Sequence, residues 1–384
     1  FKQKTAYEIY QCDWSSDVCS SDLHGDVGQS KRRHDDHRRP VTMRAVILVG
    51  GEGTRLRPLT YRAPKQMLPI LGVPMLERVL ANLAKHGVTD AVLSLGYLPD
   101  RFIEAYPTNE VAGVRVSYAV EPSPLDTAGA IRFAARAADI AETFIVINGD
   151  VITDLNVTAL IDFHRLRGAE ATIALHPVDD PSRFGVVPTH DDGRVVAFVE
   201  KPPRDEAPTN QINAGTYVME PSVLDRITPD VKVSVERVTF PALVAAGSLF
   251  ALADESYWLD TGTPQAYLEA HRDVLEGHRH LELATPIRDG NWIHPAARVS
   301  DAQLTLASVD RDVVVEDGAT IENSVIMPGA TIASGAVIRD SIVGPGARVG
   351  RGAILEATCV IGHDVVVPGG SILRGDVRLG GPDL

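Results

Sequence analysis

The sequence predicts two folds in series, an α/β domain built on a mixed, mostly parallel sheet and then a parallel β-helix. Three observations carry this. From Met43 to about Gly277, short apolar runs alternate with amphipathic stretches of helical period, the pattern of a sheet covered on both faces by crossover helices. Beyond about residue 291, Val309, Ile326, Val343 and Val360 recur every 17 residues, with Val315, Ile332, Val349 and Val366 six residues after them and Ile321, Ile338, Leu355 and Ile372 twelve after. A glycine stands nine residues after each of the first set, at Gly318, Gly335, Gly352 and Gly369. Three short sides per turn, each with one inward aliphatic, describe a triangular coil whose turns bury one another's faces.

In the first part, "RAVILV" (44–49) is a continuous apolar run with β-branched residues, as expected of a strand buried on both sides. "MLERVLANLAKHG" (75–87) sets Leu76, Val79, Leu80 and Leu83 on one helical face and ends at Gly87. Strands follow at 90–97, 114–120 and 143–150, with helices at 127–138 and 159–168. Ligands in such sheets gather at the carboxyl ends of the strands. Gly50 to Arg57 follows the first strand, and Asp150 ends another.

Residues 1–42 stand apart. "FKQKTAYEI" and "DWSSDVCSSDL" read as translated sequencing-library adapter, and the polar stretch to Thr42 as leader, so the native start is expected at Met43. A basic targeting signal is the competing reading, but no apolar stretch follows Arg33 before the first strand. These residues carry seven basic and seven acidic side chains, so the remainder keeps the net charge of −14. That acidity argues against nucleic acid as a partner. No run approaches the length of a membrane span. Excluding Cys12 and Cys19 leaves Cys359, hence no disulfide framework and a reducing, cytoplasmic setting.

The stretch "VGGEGTRLRPLTYRAPKQMLP" (49–69) fails two familiar tests. A dinucleotide fingerprint wants a third glycine where Leu56 stands, and a P-loop wants Gly-Lys-Ser/Thr where the chain has Gly53-Thr54-Arg55. With "NGDVITD" (148–154), "VEKPP" (199–203), "INAGTYVMEP" (212–221), "WLDTGTP" (258–264) and "EPSPLDTAGAI" (121–131), it resembles, in order, the motifs of the sugar-1-phosphate nucleotidyltransferases. The resemblance covers nearly all of residues 43–375 and implies a Rossmann-like nucleotidyltransferase domain over 43–280. It also implies a left-handed hexapeptide-repeat β-helix over 291–375. Within the family the chain is most similar to β-helix-bearing mannose-1-phosphate guanylyltransferases. That implies GTP and mannose 1-phosphate as substrates, with a thymidylyl- or uridylyltransferase acting on glucose 1-phosphate as the alternative.

The resemblance assigns roles residue by residue. Gly50, Gly51, Gly53 and Thr54 would bring backbone N–H groups to the nucleotide, where glycines leave room for close approach. Arg55 would fork onto the β- and γ-phosphates and Lys65 would place a point charge at the reacting phosphates. Asp150 and Asp260 would hold Mg2+. Gly129 would lie near the base or ribose, while Asp126, where many members carry glycine, is left outside the site. Glu200, Lys201, Asn213 and Gly215 would hold the sugar and its phosphate.

Plainer readings exist for each: a tight turn for the glycines, a surface ion pair for Arg55, a turn cap for Asp150, a proline-stopped edge strand for Glu200-Lys201. The ordered set favours the site. A silent paralogue that regulates a partner should have lost Arg55, Lys65, Asp150 or Asp260. An acyltransferase β-helix would need more than the lone His363. His271, His278 and His280 lack metal spacing and read as a solvated helix end. The β-helix is expected to mediate homo-oligomer formation, and the catalytic machinery to survive its removal.

Overall fold

The structure, a computed structural model, describes residues 43–381, and all counts refer to these. The expectation for residues 1–42 lies outside them. The core of the first part is a ten-stranded sheet. Strand β1 (Met43–Leu48) runs parallel to β2 (Val88–Leu95) on one side and to β4 (Phe144–Asn148) on the other; β3 (Val114–Val120) continues beyond β2. Beyond β4 the sheet turns mixed. Strand β7 (Gln211–Met219) pairs antiparallel with both β4 and β6 (Ala171–Pro177), and β8 (Leu249–Ala253) lies parallel to β6.

Alternation along β1 sorts its side chains onto the two faces. Ala45 and Ile47 join Leu76, Val79 and Leu80 of α1 (Met75–Lys85). Val46 joins Ile131 and Ala134 of α2 (Asp126–Ala137) on the other side. Helix α1 stops before Gly87, whose φ of 83° admits no ordinary side chain cheaply. Helix α3 (Val157–Arg167) starts where the Asn156 side chain accepts from the Ala159 N–H and ends at Gly168.

The second part is a stack of three parallel sheets of six, five and five short strands, consistent with a left-handed β-helix. Its interior is largely aliphatic, with Val309, Val315, Ile321 and their equivalents in the next two coils buried. The structure corrects one set of expected positions. Val343 pairs with Ile361, Val349 with Val367 and Leu355 with Leu373, so the last spacing is 18 residues. Earlier coils turn the corresponding corner on one left-handed residue, Leu306, Asn323 or Asp340; the fourth uses two in succession, Ala357 and Thr358. The inserted residue swaps inside for outside. Val366 and Ile372 are 63% and 61% exposed while Val367 is buried, and the left-handed glycine is Gly370, not Gly369.

The two parts share a core. Leu56, Leu59, Leu68 and Met75 of the first pack with Trp292, Val325, Met327, Ile342 and Val360 of the second. Val360 is thus buried, though against the sheet domain and not inside the coil. Helix α4 (Pro264–Leu275), capped by the Thr263 hydroxyl, contributes Tyr267 and Leu268 to the same core. His271 lies on that helix, 3% exposed, where a solvated end was expected. Its Nε2 donates to the Pro69 carbonyl, and burial pulls its pKa down to about 3. The expectation that the catalytic part survives loss of residues 291–384 does not fit a seam built this way.

Candidate active site

The carboxyl ends of β1, β2 and β4 open onto a cleft of about 550 Å3. Gly50, Gly51, Lys65, Ser94, Glu121 and Asn148 are among its walls. Gly50 is tightly placed, because a Cβ there would stand 3.3 Å from the Glu121 carboxylate and 3.4 Å from the Gly96 nitrogen. Gly53 sits at φ 61° with Thr60 and Lys65 pressed against it, and the Thr60 hydroxyl donates to its carbonyl at 2.8 Å. The loop is therefore held from behind, leaving its front to the cleft.

Charge concentrates at one end of this cleft. Lys65 Nζ forms a mostly buried ion pair with the Asp150 carboxylate. Both the N–H and the hydroxyl of Thr261 donate to the Asp150 carbonyl, at 3.3 and 2.8 Å, and fix that backbone. Strand β5 (Val151–Thr153) pairs antiparallel with β9 (Trp258–Asp260), setting Asp260 opposite Val151. Burial raises the Asp260 pKa, and repulsion from Asp150 raises it further, while Lys65, the Gly262 N–H and Arg55 oppose the shift. Arg55 itself is exposed, and its guanidinium lies so close over Gly262 that a Cβ there would displace it. Arg55, Lys65, Asp150 and Asp260, spread over two hundred residues of sequence, form one electrostatic cluster.

A second group forms around β7. The strand bulges between Asn213 and Tyr217, and Gly215 in the bulge has φ 73°. Asn213 spans the bulge, accepting from the Gly215 N–H at 2.9 Å and donating to the Tyr217 hydroxyl at 2.9 Å. Glu200 and Lys201 pair at 3.3 Å, with Lys201 59% exposed and in the left-handed region at φ 49°. Asn148 connects this group to the cleft, since a Cβ on Gly215 would lie 2.6 Å from its amide nitrogen.

Gly129, Thr54 and Arg55 sit outside the cleft lining. Gly129 does not line the cleft. It faces Leu125 and the Val231 carbonyl, and its N–H donates to the Val233 carbonyl. Asp126, Thr127 and Ala130 line the cleft instead, because position 129 lies roughly a third of a helical turn off their shared face. Thr54 and Arg55 border a neighbouring hollow of about 330 Å3, closed on its far side by Asp376 and Arg378.

Sequence reasoning also passed over several groups. Glu121 accepts from the Ser94 hydroxyl and the Leu125 N–H, both at 3.0 Å, and so presents a fixed carboxylate in the cleft wall. Gln66, 1% exposed, keeps a buried amide oxygen without a partner beside the cleft. Glu121 and Thr261 lie inside quoted motifs, but nothing in a motif says which member faces the ligand.

The nucleotidyl transferase family profile matches residues 44–277, and that of the GMPPB C-terminal domain matches 287–379. A mannose-1-phosphate guanylyltransferase of Mycobacterium tuberculosis is 40% identical, over 75% of this chain and 80% of its own length. A mannose-1-phosphate guanyltransferase of Hypocrea jecorina is 38% identical over 86% and 96%. Among solved structures, HddC from Yersinia pseudotuberculosis matches with a TM-score of 0.52 and 33% identity, covering 59% of this chain and 97% of HddC; the same protein has been solved with GMP-PN. The profile spans more than half of the chain and the relatives align over most of it, so the chain belongs to the nucleotidyl transferase family.

Proposed function

We propose that the protein is a cytoplasmic mannose-1-phosphate guanylyltransferase, converting GTP and mannose 1-phosphate to GDP-mannose and pyrophosphate. The observation that carries the transfer chemistry is the convergence of Arg55, Lys65, Asp150 and Asp260 into one charged cluster, with Lys65 and Asp150 in the cleft wall and Arg55 at the adjoining hollow. The choice of base and sugar rests on the relatives' activities, and Glu121 supports it. A carboxylate accepts but never donates, so it suits the adjacent N–H groups on the guanine edge and offers nothing to the acceptor nitrogen of adenine.

In the reaction, a phosphate oxygen of mannose 1-phosphate attacks the α-phosphorus of GTP. The bond from that phosphorus to its β-bridging oxygen breaks, and pyrophosphate leaves with the electron pair. The nucleophile is already anionic, so the protein's work is to bring two anions together and to balance their charge. The loop Gly50–Gly53 offers N–H groups to the triphosphate. Arg55 takes the leaving phosphates, and Lys65, held against Asp150, stands beside the transferred group. Glu200, Lys201 and Asn213 hold the sugar phosphate, with Gly215 leaving it room.

Asp150 and Asp260 would hold Mg2+. Two carboxylates close enough to repel, one of them with a raised pKa despite the Lys65 and Arg55 charges beside it, fit a divalent cation. Among the described residues no three His, Cys, Asp or Glu side chains are grouped to cage a metal, which suits an ion whose other ligands are phosphates and water. When bound, the ion offsets phosphate charge during transfer. Among the same residues no helix is long and apolar enough to cross a membrane. Self-association through the β-helix is supported by the outward Val366 and Ile372.

Product analysis tests the reading. Incubation with GTP, mannose 1-phosphate and magnesium should give equimolar GDP-mannose and pyrophosphate. Failure to release pyrophosphate from any nucleoside triphosphate and sugar phosphate would remove the enzyme assignment altogether.

A further inference from the structure

The last rung of the β-helix, Arg378–Leu379, reaches the catalytic loop. Arg378 Nη1 donates to the Arg55 carbonyl at 2.7 Å and to the Arg57 carbonyl at 2.9 Å. Its Nε is occupied by Asp376 at 2.6 Å, which fixes the plane of the guanidinium. The side chain is 30% exposed, so these charge-assisted bonds are partly shielded from water. Neighbouring contacts keep the approach in register. Gly380 and Gly362 would carry a Cβ within 3.0 and 3.2 Å of the Pro58 ring, and Arg62 pairs with Asp364 at 2.7 Å.

We propose that Arg378 is a positioning residue for nucleotidyl transfer, setting the backbone on both sides of Leu56 and through it the Arg55 guanidinium. The geometry runs without a gap. Leu56 is buried in the shared core, so the loop can pivot only at its polar flanks, and Arg378 pins both. Arg55 then extends over Gly262, where its charge bears on Asp260. A fork displaced by an ångström would miss the phosphates it takes, and positioning errors of that size cost about a hundredfold in rate. The β-helix is on this account part of the active site's support. The inference rests on the nucleotidyltransferase reading but not on which base or sugar is used.

The test compares Arg378→Ala and Arg378→Lys in the full chain, each with Arg55 intact and with Arg55→Ala, using whichever substrate pair the wild type turns over. Arg378→Ala should lower kcat/KM for the nucleotide by about tenfold to a hundredfold, with the melting temperature little changed. Arg378→Lys should recover most of it, because a single nitrogen makes both carbonyl bonds. In the Arg55→Ala background, Arg378→Ala should cost less than about twofold, since residues that act through one another are not additive. A full additional loss in that background, failure of lysine to rescue, or a loss that tracks the melting temperature would overturn the proposal. Absence of turnover in the wild type would instead sink the parent reading.

Discussion

The sheet domain and the β-helix solve the burial problem in opposite ways. In the β-helix each paired residue rests on one 16 to 18 positions away, and the interior between the coils is largely aliphatic. In the sheet domain the decisive contacts join Lys65 to Asp150 and Asp150 to Thr261, and they are polar. A repeat can satisfy its backbone and bury its apolar side chains while confining its left-handed residues to the corners. A site differs, because it keeps like charges close together, as at Asp150 and Asp260, with Lys65 and Arg55 beside them. The seam of Leu56, Ile342 and Val360 is where the regular region steadies the irregular one.

The largest effect expected from that division falls on the carboxylates. Asp150→Asn and Asp260→Asn should each lower turnover by about a hundredfold or more, as when one electrostatic stabiliser is removed. Asp260→Asn relieves the repulsion between the pair and should not lower thermal stability, whereas Asp150→Asn leaves Lys65 without its mostly buried partner and should lower it. Near-normal magnesium-dependent turnover in either variant would break the assignment.

Next come two isoleucines four residues apart. Ile338 faces the coil interior and Ile342 the seam, and both are fully buried. Truncation of either to alanine should destabilise by about 2–5 kcal/mol. Ile342→Ala should also depress kcat well below its melting temperature, because the loop residues Leu56 and Leu59 share its cluster; Ile338→Ala should not. Equal kinetic losses in the two variants would erase the distinction between seam and coil.

A smaller effect concerns pH. His271 titrates near 6.5 in the unfolded chain and near 3 in the fold, where burial lowers it and the nearby positive charge of Arg78 adds to the shift. The unfolded state therefore binds a proton that the folded state refuses. Stability from this group is full above pH 6.5 and declines as pH falls towards 3, by at most about 1.4 kcal/mol per pH unit. His271→Leu should flatten the decline between about pH 6.5 and 5 in denaturant titrations. The Tyr267 hydroxyl still donates to the Pro69 carbonyl in that variant. An unchanged slope would place the acid sensitivity elsewhere.

The mildest change should come from the outer face of the coil. Val366→Glu with Ile372→Glu should shift the mass seen by light scattering towards monomer while leaving kcat unaltered. A mass unaffected by both substitutions would remove the β-helix from the assembly.

How much was legible in the sequence follows the same contrast. Periodicity disclosed the sheet, its helices and the β-helix, because each is a local pattern repeated. It failed at Ala357-Thr358, where one inserted corner residue keeps an apolar residue at each expected position yet turns Val366 outward. The motifs disclosed Arg55, Lys65, Asp150 and Asp260 as candidates, since charge at strand ends is conspicuous. They misplaced Gly129 and passed over Asp126, because which face of a first helical turn meets a cleft depends on packing against Val231 and Val233. His271 and Arg378 were invisible for a related reason. Nothing near either residue in the sequence announces that Pro69 or the Arg55 loop, hundreds of positions away, will be its partner.

The central claim is that this cleft carries guanylyl transfer to mannose 1-phosphate. It is tested most directly by the ratio of kcat/KM for GTP with mannose 1-phosphate to that for dTTP or UTP with glucose 1-phosphate, measured on the same preparation with magnesium. The account predicts a ratio well above one, falling when Glu121 is changed to Gln. A ratio below one would contradict the guanylyl reading.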